Sequence, residues 1–350
     1  MEVTIIGVDM SRIIRFFVGF LVVLSSCTAA PTASTRTVVV SFSVLGDIVR
    51  NVVGDAATVK TFVGPDSDAH AYEPTPQDAV ALEQATAIVT IGLGFESWLD
   101  EIYAASGSKS PVIVSSAAIK PIKVDPSVGG HAHEEGHTEE EGHTEEEGHS
   151  EEEGHSEEEA HAEEEAHADE KEELDPHIWH DVQNVITMVE TIRDGLIVAM
   201  PDQADTFRTN STRYINELRQ LDAEVVTMVE SIPNDRRKLV TNHDTFGYFA
   251  QRYGFVVVGT VLGVSTEGSD PSATEIVELT AAIRDSAVPT IFIENMSNSA
   301  LIDNVAAEAG VTIAPALYTD ALGSADSDGA TYLNMMRYNV STMKTALQGK

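Results

Sequence analysis

The chain has 350 residues, of which 57 are acidic, 21 are basic and one is a cysteine, and its formal net charge is -36 at pH 7. The single cysteine excludes an intrachain disulfide bond and a zinc site built from several thiolates. The acidic balance argues against a nucleic acid as partner and favours cations in general. The length leaves room for two domains.

The N-terminus predicts a secreted protein with a lipid anchor. Two arginines precede an apolar run at residues 16–24, which is too short to span a bilayer but fits the core of a signal peptide. The Leu-Ser-Ser-Cys that follows resembles a bacterial lipobox, so we assign residues 1–27 to a lipoprotein signal peptide with Cys27 as the lipidated residue. The alternative is an ordinary cleaved signal with an incidental cysteine. Residues 28–37 are small and polar, which is typical of a flexible tether.

Apolar, β-branched runs then alternate with helical patterns. Strands are predicted at residues 38–42, 57–63, 87–92 and 111–115. Helices are predicted at residues 44–53, 76–84 and 96–105. Continuous apolar strands separated by helices indicate a parallel sheet covered on both faces. We therefore expect an N-terminal α/β lobe at residues 38–181.

A six-residue repeat of glycine or alanine, histidine and carboxylates fills residues 130–173. Imidazole suits zinc, copper and nickel, and carboxylates neutralise their charge, so the tract predicts contact with a divalent transition metal. The tract offers no apolar face to bury, so we expect a disordered loop. The alternative to metal contact is a solvated acidic linker that binds no ligand. A flexible tract holds no fixed geometry, so only weak, secondary binding is expected of it. The histidines concerned are His131, His133, His137, His143, His149, His155, His161 and His167.

The second half of the chain repeats the α/β pattern. Strands are predicted at residues 238–241, 255–262, 290–294 and 312–317, and a last helix at residues 331–347. Before them, residues 182–232 have apolar positions at helical spacing, which predicts a helical connection with a long linker helix. Residues 233–350 then form a C-terminal α/β lobe. The sequence predicts two lobes, each with a parallel sheet flanked by helices, bridged by one long helix.

Four polar motifs stand at or near the ends of predicted strands, where open α/β sheets place their ligands. They are DAHAYEPTPQD around His70, LDPHIWHD around His177, TNHDTFGYFAQRYG around His243 and ALYTDALG around Asp320. A lone histidine at a strand end is usually a core or capping residue, but three in polar loops indicate a shared role. Three imidazoles and one carboxylate match the four tetrahedral ligands that zinc prefers. We predict that these four residues bind one metal ion.

With these motifs the chain resembles the metal-binding receptors of bacterial ABC importers for zinc and manganese. The match runs from about Thr37 to the C-terminus, and GPDSDAHAYEPTPQD followed by GLGFESWLD carries it most specifically. The resemblance implies a C-clamp of two lobes with the metal buried between them, and it places the four predicted ligands on the family's ligand positions. It also implies a monomer, not an enzyme, that is held outside the cytoplasm by its lipid anchor and delivers metal to a membrane permease.

Three imidazoles favour zinc, because manganese-preferring relatives usually have a carboxylate where this chain has His243. The expected function is therefore a high-affinity Zn(II) receptor. A manganese receptor of the same family stays open, as does a metal buffer or adhesin in which the tract is the main binder. A zinc hydrolase is disfavoured, because the chain has no HExxH motif and a fourth ligand closes the shell.

Other residues near the motifs receive supporting roles. Glu96 and Glu294 are candidates to accept a hydrogen bond from a ligand histidine. Asp244 is expected to cap the following helix. The family commonly has an apolar residue where this chain has His180, so we consider a role behind the ligands, a relay from the tract, or exposure with weak metal binding, and favour exposure. Aromatic residues are expected to pack around the site and exclude water, namely Trp179, Phe246, Tyr248 and Phe249.

Overall fold

The computed structural model describes residues 1–2, 36–124, 173–263, 266, 271–296 and 300–348. Nearly all of the predicted signal peptide with Cys27, most of the tether and the histidines of the tract lie outside the described residues. The structure therefore does not test the predictions made for them.

The first lobe is built on a four-stranded parallel sheet. Its strands are β1 (Thr37–Phe42), β2 (Thr58–Val63), β3 (Ala87–Thr90) and β4 (Val112–Val114), in the order β2-β1-β3-β4. The helices between them are α1 (Ser43–Val53), α2 (Pro76–Gln84) and α3 (Leu99–Ser106). The apolar, β-branched β1 is buried except at Thr37, because it is central and covered on both faces. The helix predicted from residue 96 begins three residues later, because a turn with left-handed backbone at Gly92, Leu93 and Gly94 precedes it.

Two helices connect the lobes. Helix α4 (Val182–Ala199) packs on the first sheet, where Gly195 lies against Ile113 so closely that a Cβ would have no room. Helix α5 (Ala204–Glu230) has 27 residues and is therefore about 40 Å long at about 1.5 Å per residue. The long linker helix is thus confirmed as α5. Its predicted packing residues face the core, with Met228 at the margin: Phe207, Tyr214, Leu218, Leu221 and Val225.

The second lobe repeats the topology of the first. Its strands are β5 (Lys238–Thr241), β6 (Val256–Thr260), β7 (Thr290–Ile291) and β8 (Thr312–Ile313), and the pairs β5-β6 and β7-β8 are parallel. The amide of Phe292 donates to Val240 O at 2.9 Å and joins the pairs in the order β6-β5-β7-β8. The ladders of β7 and β8 are shorter than the predicted strands, and an isolated bridge between Glu294 and Leu317 extends them. The helices are α6 (Gly247–Tyr253), α7 (Ala273–Asp285), α8 (Ala300–Ala309) and α9 (Tyr332–Leu347).

One apolar core extends through both lobes. It continues from Val40 of the first sheet through Leu218 of α5 and Tyr332 of α9 to Leu239 of the second sheet. Smaller clusters fill the outer face of each sheet, around Leu82 in the first lobe and within the second. The two lobes therefore share one core as well as a long helix.

Among the described residues, none of the helices combines the length and the apolar character that a membrane crossing requires.

Candidate metal centre

Each predicted ligand lies in a loop that borders a sheet or a helix. His70 lies in the loop after β2, and His243 follows β5 by two residues. Asp320 lies in the loop between β8 and α9, and His177 directly precedes a 3-10 turn, Ile178–His180, that leads into α4. The loops after the parallel strands of both lobes thus bring three of the side chains to one place, and the segment before α4 brings that of His177.

The four side chains meet in a buried cluster. His177, His243 and Asp320 are fully buried and His70 is 4% exposed. One atom of each residue lies within 4.8 Å of the others. Among the described residues, this is the only such group of metal-ligating side chains. The structure therefore brings together all four residues that the sequence predicted as ligands.

Four of the separations within the cluster are close to those around a tetrahedral ion. Asp320 Oδ2 lies 3.0 Å from Nε2 of His243 and 3.1 Å from Nε2 of His70. It lies 3.6 Å from Nε2 of His177, and the Nε2 atoms of His70 and His177 are 3.3 Å apart. Bonds of about 2.0–2.1 Å to a tetrahedral zinc ion put neighbouring ligand atoms about 3.3 Å apart. The four separations are thus close to those that one such ion would impose.

Asp175 orients His177. Its Oδ1 accepts hydrogen bonds from the Nδ1 atom and from the backbone amide of His177, both at 2.9 Å. An ionised carboxylate is an acceptor only, so the proton of the neutral ring is on Nδ1 and the lone pair of Nε2 points into the cluster. Gly247 allows this placement, because a Cβ there would lie 2.5 Å from Asp175 Oδ2.

Glu294 orients His243 in the same way, as the sequence predicted. His243 Nδ1 lies 2.8 Å from Glu294 Oε1 and 2.7 Å from Oε2, and the backbone amide of His243 donates to Oε1 at 3.0 Å. The hydroxyl of Thr319 donates to Oε2 at 2.7 Å and fixes the carboxylate from its far side. His243 therefore also presents an unprotonated Nε2 to the cluster when its ring is neutral.

Buried carboxylates give the cluster a strong affinity for cations. Burial lowers the pKa of His177, but the charges of Asp320 and Asp175 outweigh it and raise that pKa to about 9. Burial lowers the pKa of His243 as well, and the charges of Glu294 and Asp320 outweigh it and raise it well above the ordinary value. Burial raises the pKa of Asp320, but His177 and His243 hold it well below its usual range. Without a metal, protons therefore occupy the Nε2 atoms of His177 and His243 that would bind the ion.

Glu96 does not orient a ligand. Its carboxylate accepts from the hydroxyl of Ser41 at 2.7 Å and from the backbone amides of Ile91 and Gly92 at 2.8 and 3.1 Å. The prediction that Glu96 holds a ligand histidine is wrong, because these three donors use the carboxylate to close the loop after β3. That loop places Phe95 edge-on against the ring of His70, with ring centroids 4.7 Å apart.

The prediction that His180 is exposed is wrong. Its ring is fully buried, and its Nδ1 atom has no hydrogen-bond partner among the described residues. Its Nε2 atom lies 3.2 Å from the hydroxyl oxygen of Thr245, which lies 3.3 Å from Asp320 Oδ1. A buried ring with this partner cannot serve as a weak surface ligand. The 3-10 turn after His177 directs the side chain inward, before α4 begins at Val182.

Aromatic side chains surround the ligands, as expected. Trp179 lies against His177 with ring centroids 5.3 Å apart, and its Nε1 donates to Thr319 O at 3.0 Å. Phe246 packs on His180 at 4.6 Å, and Phe249 packs behind Phe246. Tyr248 also lies here, and its hydroxyl donates to Asp175 O at 3.1 Å. The expectation that Asp244 caps the following helix is wrong, because the N-cap residue of α6 is Phe246.

The loop that carries His70 also contacts the second lobe directly. Asp66 Oδ1 accepts from Asn295 Nδ2 at 2.8 Å, and Asp66 Oδ2 accepts from the amide of Ser324 at 3.1 Å. The amide of Asp66 donates to Leu322 O at 2.9 Å. Because Leu322 and Ser324 follow Asp320 closely, these bonds connect the loops of two ligands from different lobes.

Comparisons with known proteins agree with this fold and site. The profile described as ZnuA, zinc-uptake complex component A, periplasmic, matches residues 38–346. The manganese-binding lipoprotein MntA of Halalkalibacterium halodurans is 28% identical over 346 residues, which cover 97% of this chain and 99% of that protein. The zinc-binding protein TroA of Treponema pallidum is 31% identical over 315 residues, which cover 89% of this chain and 88% of that protein.

A solved structure gives the same result for the fold. The periplasmic zinc-binding protein TroA of Treponema pallidum superposes with a TM-score of 0.71 over 90% of this chain and 100% of that chain, at 28% identity. The predicted α/β fold of two lobes with a long helix is confirmed. The relatives include proteins named for manganese and for zinc, so the choice of metal depends on the residues of this chain.

Proposed function

The chain belongs to the ZnuA family, whose members are metal-binding receptors of ABC importers and not enzymes, and we propose that its cargo is zinc. In this proposal the receptor binds one Zn(II) ion between its lobes outside the cytoplasm and delivers it to a membrane permease. The ligands are His70, His177, His243 and Asp320. A relative named as a lipoprotein supports the proposal that Cys27 anchors the receptor to the membrane.

The observation that carries the choice of zinc is the set of three imidazole nitrogens around one carboxylate oxygen. The Nε2 atoms of His70, His177 and His243 lie 3.0–3.6 Å from Asp320 Oδ2. Zinc is satisfied by four ligands of this type, whereas manganese prefers about six ligands that are mainly oxygen. The separations and the predominance of nitrogen therefore favour zinc.

A manganese receptor is the second candidate, because a relative that covers almost the whole chain is named for manganese. The decisive experiment is metal analysis of the protein purified without added metal, followed by competition between Zn(II) and Mn(II). We expect one tightly bound zinc per chain and displacement of manganese by zinc. Tighter binding of manganese at equal free concentrations would contradict the assignment of zinc and leave the receptor role intact.

A matched variant sharpens this experiment. His243→Asp converts the site to two imidazoles and two carboxylates, and Glu294 then lies beside a carboxylate rather than beside a ring that donates to it. We expect zinc affinity to fall more than manganese affinity, because the softer ligand is lost and the oxygen ligand is gained. Thr319→Val serves as control, since it changes the support of Glu294 without changing a ligand.

A metal buffer or adhesin, with the acidic tract as main binder, is a third candidate. The number of histidines in residues 130–173 supports this candidate. Against it, two of the four residues of the buried cluster are held in place, His177 by Asp175 and His243 by Glu294, and such support fixes these side chains before the ion arrives. We therefore propose that the tract collects ions and that the buried cluster is the receptor site, in a monomer.

A further inference from the structure

His180 and Thr245 form a buried pair behind Asp320 that the receptor role alone does not explain. His180 and Thr245 are both fully buried. Thr245 Oγ1 lies between the two polar groups, 3.2 Å from His180 Nε2 and 3.3 Å from Asp320 Oδ1. In contrast, Asp320 Oδ2 faces the three ligand histidines. The two oxygens of one carboxylate thus have different partners.

The position of the protons in this pair follows from the unpartnered atom. Burial lowers the pKa of His180 to about 3, so the ring is neutral and carries one N–H. If the proton were on Nδ1, a buried donor would have no acceptor in the part of the chain that the structure describes, and such donors are rarer in proteins than unfilled acceptors. With the proton on Nε2, the ring donates to Thr245, and the hydroxyl of Thr245 is free to donate to Asp320 Oδ1.

We infer that His180 and Thr245 are positioning residues that keep Asp320 monodentate toward the metal. The chain of donors runs from His180 Nε2 to Thr245 Oγ1 and from Thr245 Oγ1 to Asp320 Oδ1. It occupies Oδ1 and leaves Oδ2 for the ion. Phe246, packed on the ring of His180 at 4.6 Å, holds the first donor in place.

A monodentate carboxylate restricts which ions the site accepts. Three imidazole nitrogens and one oxygen complete a tetrahedral shell, which suits zinc. An ion that needs more ligands, such as Mn(II), would gain from the second oxygen of Asp320, and the hydroxyl of Thr245 competes for that oxygen. The pair therefore acts as a specificity element that raises the preference for zinc over manganese.

The test compares Thr245→Val, which keeps the shape and loses the hydroxyl, with Thr245→Ser, which keeps the hydroxyl. Each variant is loaded with Co(II), whose visible absorption is intense when it has four ligands and weak when it has five or six. We expect Thr245→Val to lose intensity and to lower the ratio of zinc to manganese affinity by about tenfold, the lower end of effects from groups behind ligands. Thr245→Ser should retain the wild-type spectrum and ratio.

A second variant tests the other residue of the pair, His180. His180→Phe removes the donor and keeps an aromatic ring against Phe246, so it should shift both measurements in the direction of Thr245→Val. If the valine variant did not fold, Thr245→Ala would remove the hydroxyl without a branched side chain.

The outcomes separate this inference from the proposed function on which it rests. An unchanged Co(II) spectrum and metal ratio in the folded Thr245 variants would overturn the inference and leave the receptor role in place. An equal loss of zinc and manganese affinity without a spectral change would also overturn it, because the pair would then only support the fold. Failure of the wild-type protein to bind Co(II) or Zn(II) tightly would overturn the proposed function and the inference together.

Discussion

Asp175 and Gly247 are in contact behind the metal centre, although they belong to different lobes and are separated along the chain by helices α4 and α5. A Cβ at position 247 would lie 2.5 Å from Asp175 Oδ2, while Oδ1 of the same carboxylate holds His177. The absence of a side chain at the start of α6 therefore determines where one metal ligand points. This contact makes the ligand geometry of the first lobe depend on the position of a helix in the second.

We predict that Gly247→Ala weakens zinc binding by about 10–100-fold, the range for changes behind a ligand. The added methyl group displaces the carboxylate and turns the ring of His177, whereas alanine is otherwise favourable within a helix. Calorimetric titration with zinc provides the measurement. The control is Asp175→Asn: if Asp175 transmits the effect, the double variant loses little more than either single variant. Additive losses would contradict this coupling.

The four ligands are predicted to contribute unequally. His177→Ala should lower zinc affinity by more than about a hundredfold, since groups behind ligands already account for about 10–100-fold. Asp320→Ala should cost less, because a water molecule can take the fourth position of a zinc ion. Competition with a chelator of known affinity measures both. A variant with all three histidines replaced that kept one tight ion would show that the site is elsewhere.

The sequence was sufficient to predict which four residues cluster, because each lies in a polar motif and three of these motifs follow strands whose ends the topology brings together. It was not sufficient for the groups behind them. Glu96 is close to ligand motifs in sequence, but its direction is set by three donors of its own loop. His180 appeared suited to solvent, and only the 3-10 turn after His177 shows that its ring is buried. Asp175 was overlooked although it stands two residues before His177, since a carboxylate in a polar motif gives no sign of its partner.

Zinc affinity should depend on pH even above the pH range in which an ordinary histidine titrates. Because the pKa of His177 is raised to about 9 in the metal-free protein, its ring is protonated below that pH and the metal must displace the proton. Zinc affinity should therefore rise with pH up to about 9. Below that pH, it should fall about tenfold for each unit by which the pH decreases and for each proton that the metal displaces. Calorimetry at pH 7 in buffers of different ionisation enthalpy counts the released protons. Affinity that stayed constant above pH 7 would contradict the raised pKa.

Asp66 is predicted to slow the release of zinc. It has a left-handed backbone with φ of 52°, and its carboxylate accepts bonds from Asn295 and Ser324 of the second lobe. Asp66→Ala should accelerate dissociation about fivefold, which corresponds to about 1 kcal/mol for solvent-exposed hydrogen bonds. Stopped-flow transfer of zinc to a chelator measures this rate. Asp66→Asn, which tolerates the same backbone and keeps one acceptor, should show a smaller effect, and equal rates in both variants would contradict a role for the carboxylate.

Deletion of residues 131–173 should remove weak zinc binding and leave one tight ion. The residues of the cluster and their supports all lie outside this tract, so its loss removes none of the contacts described for them. The composition of the tract predicts a flexible acidic chain, and ordering such a chain around each bound ion weakens binding. Its imidazoles should release zinc below about pH 6.5, where an ordinary histidine becomes protonated. Calorimetry of the wild-type and deleted proteins should therefore differ only in the weak class of sites. Disappearance of the tight class on deletion would mean that the tract itself completes the metal centre.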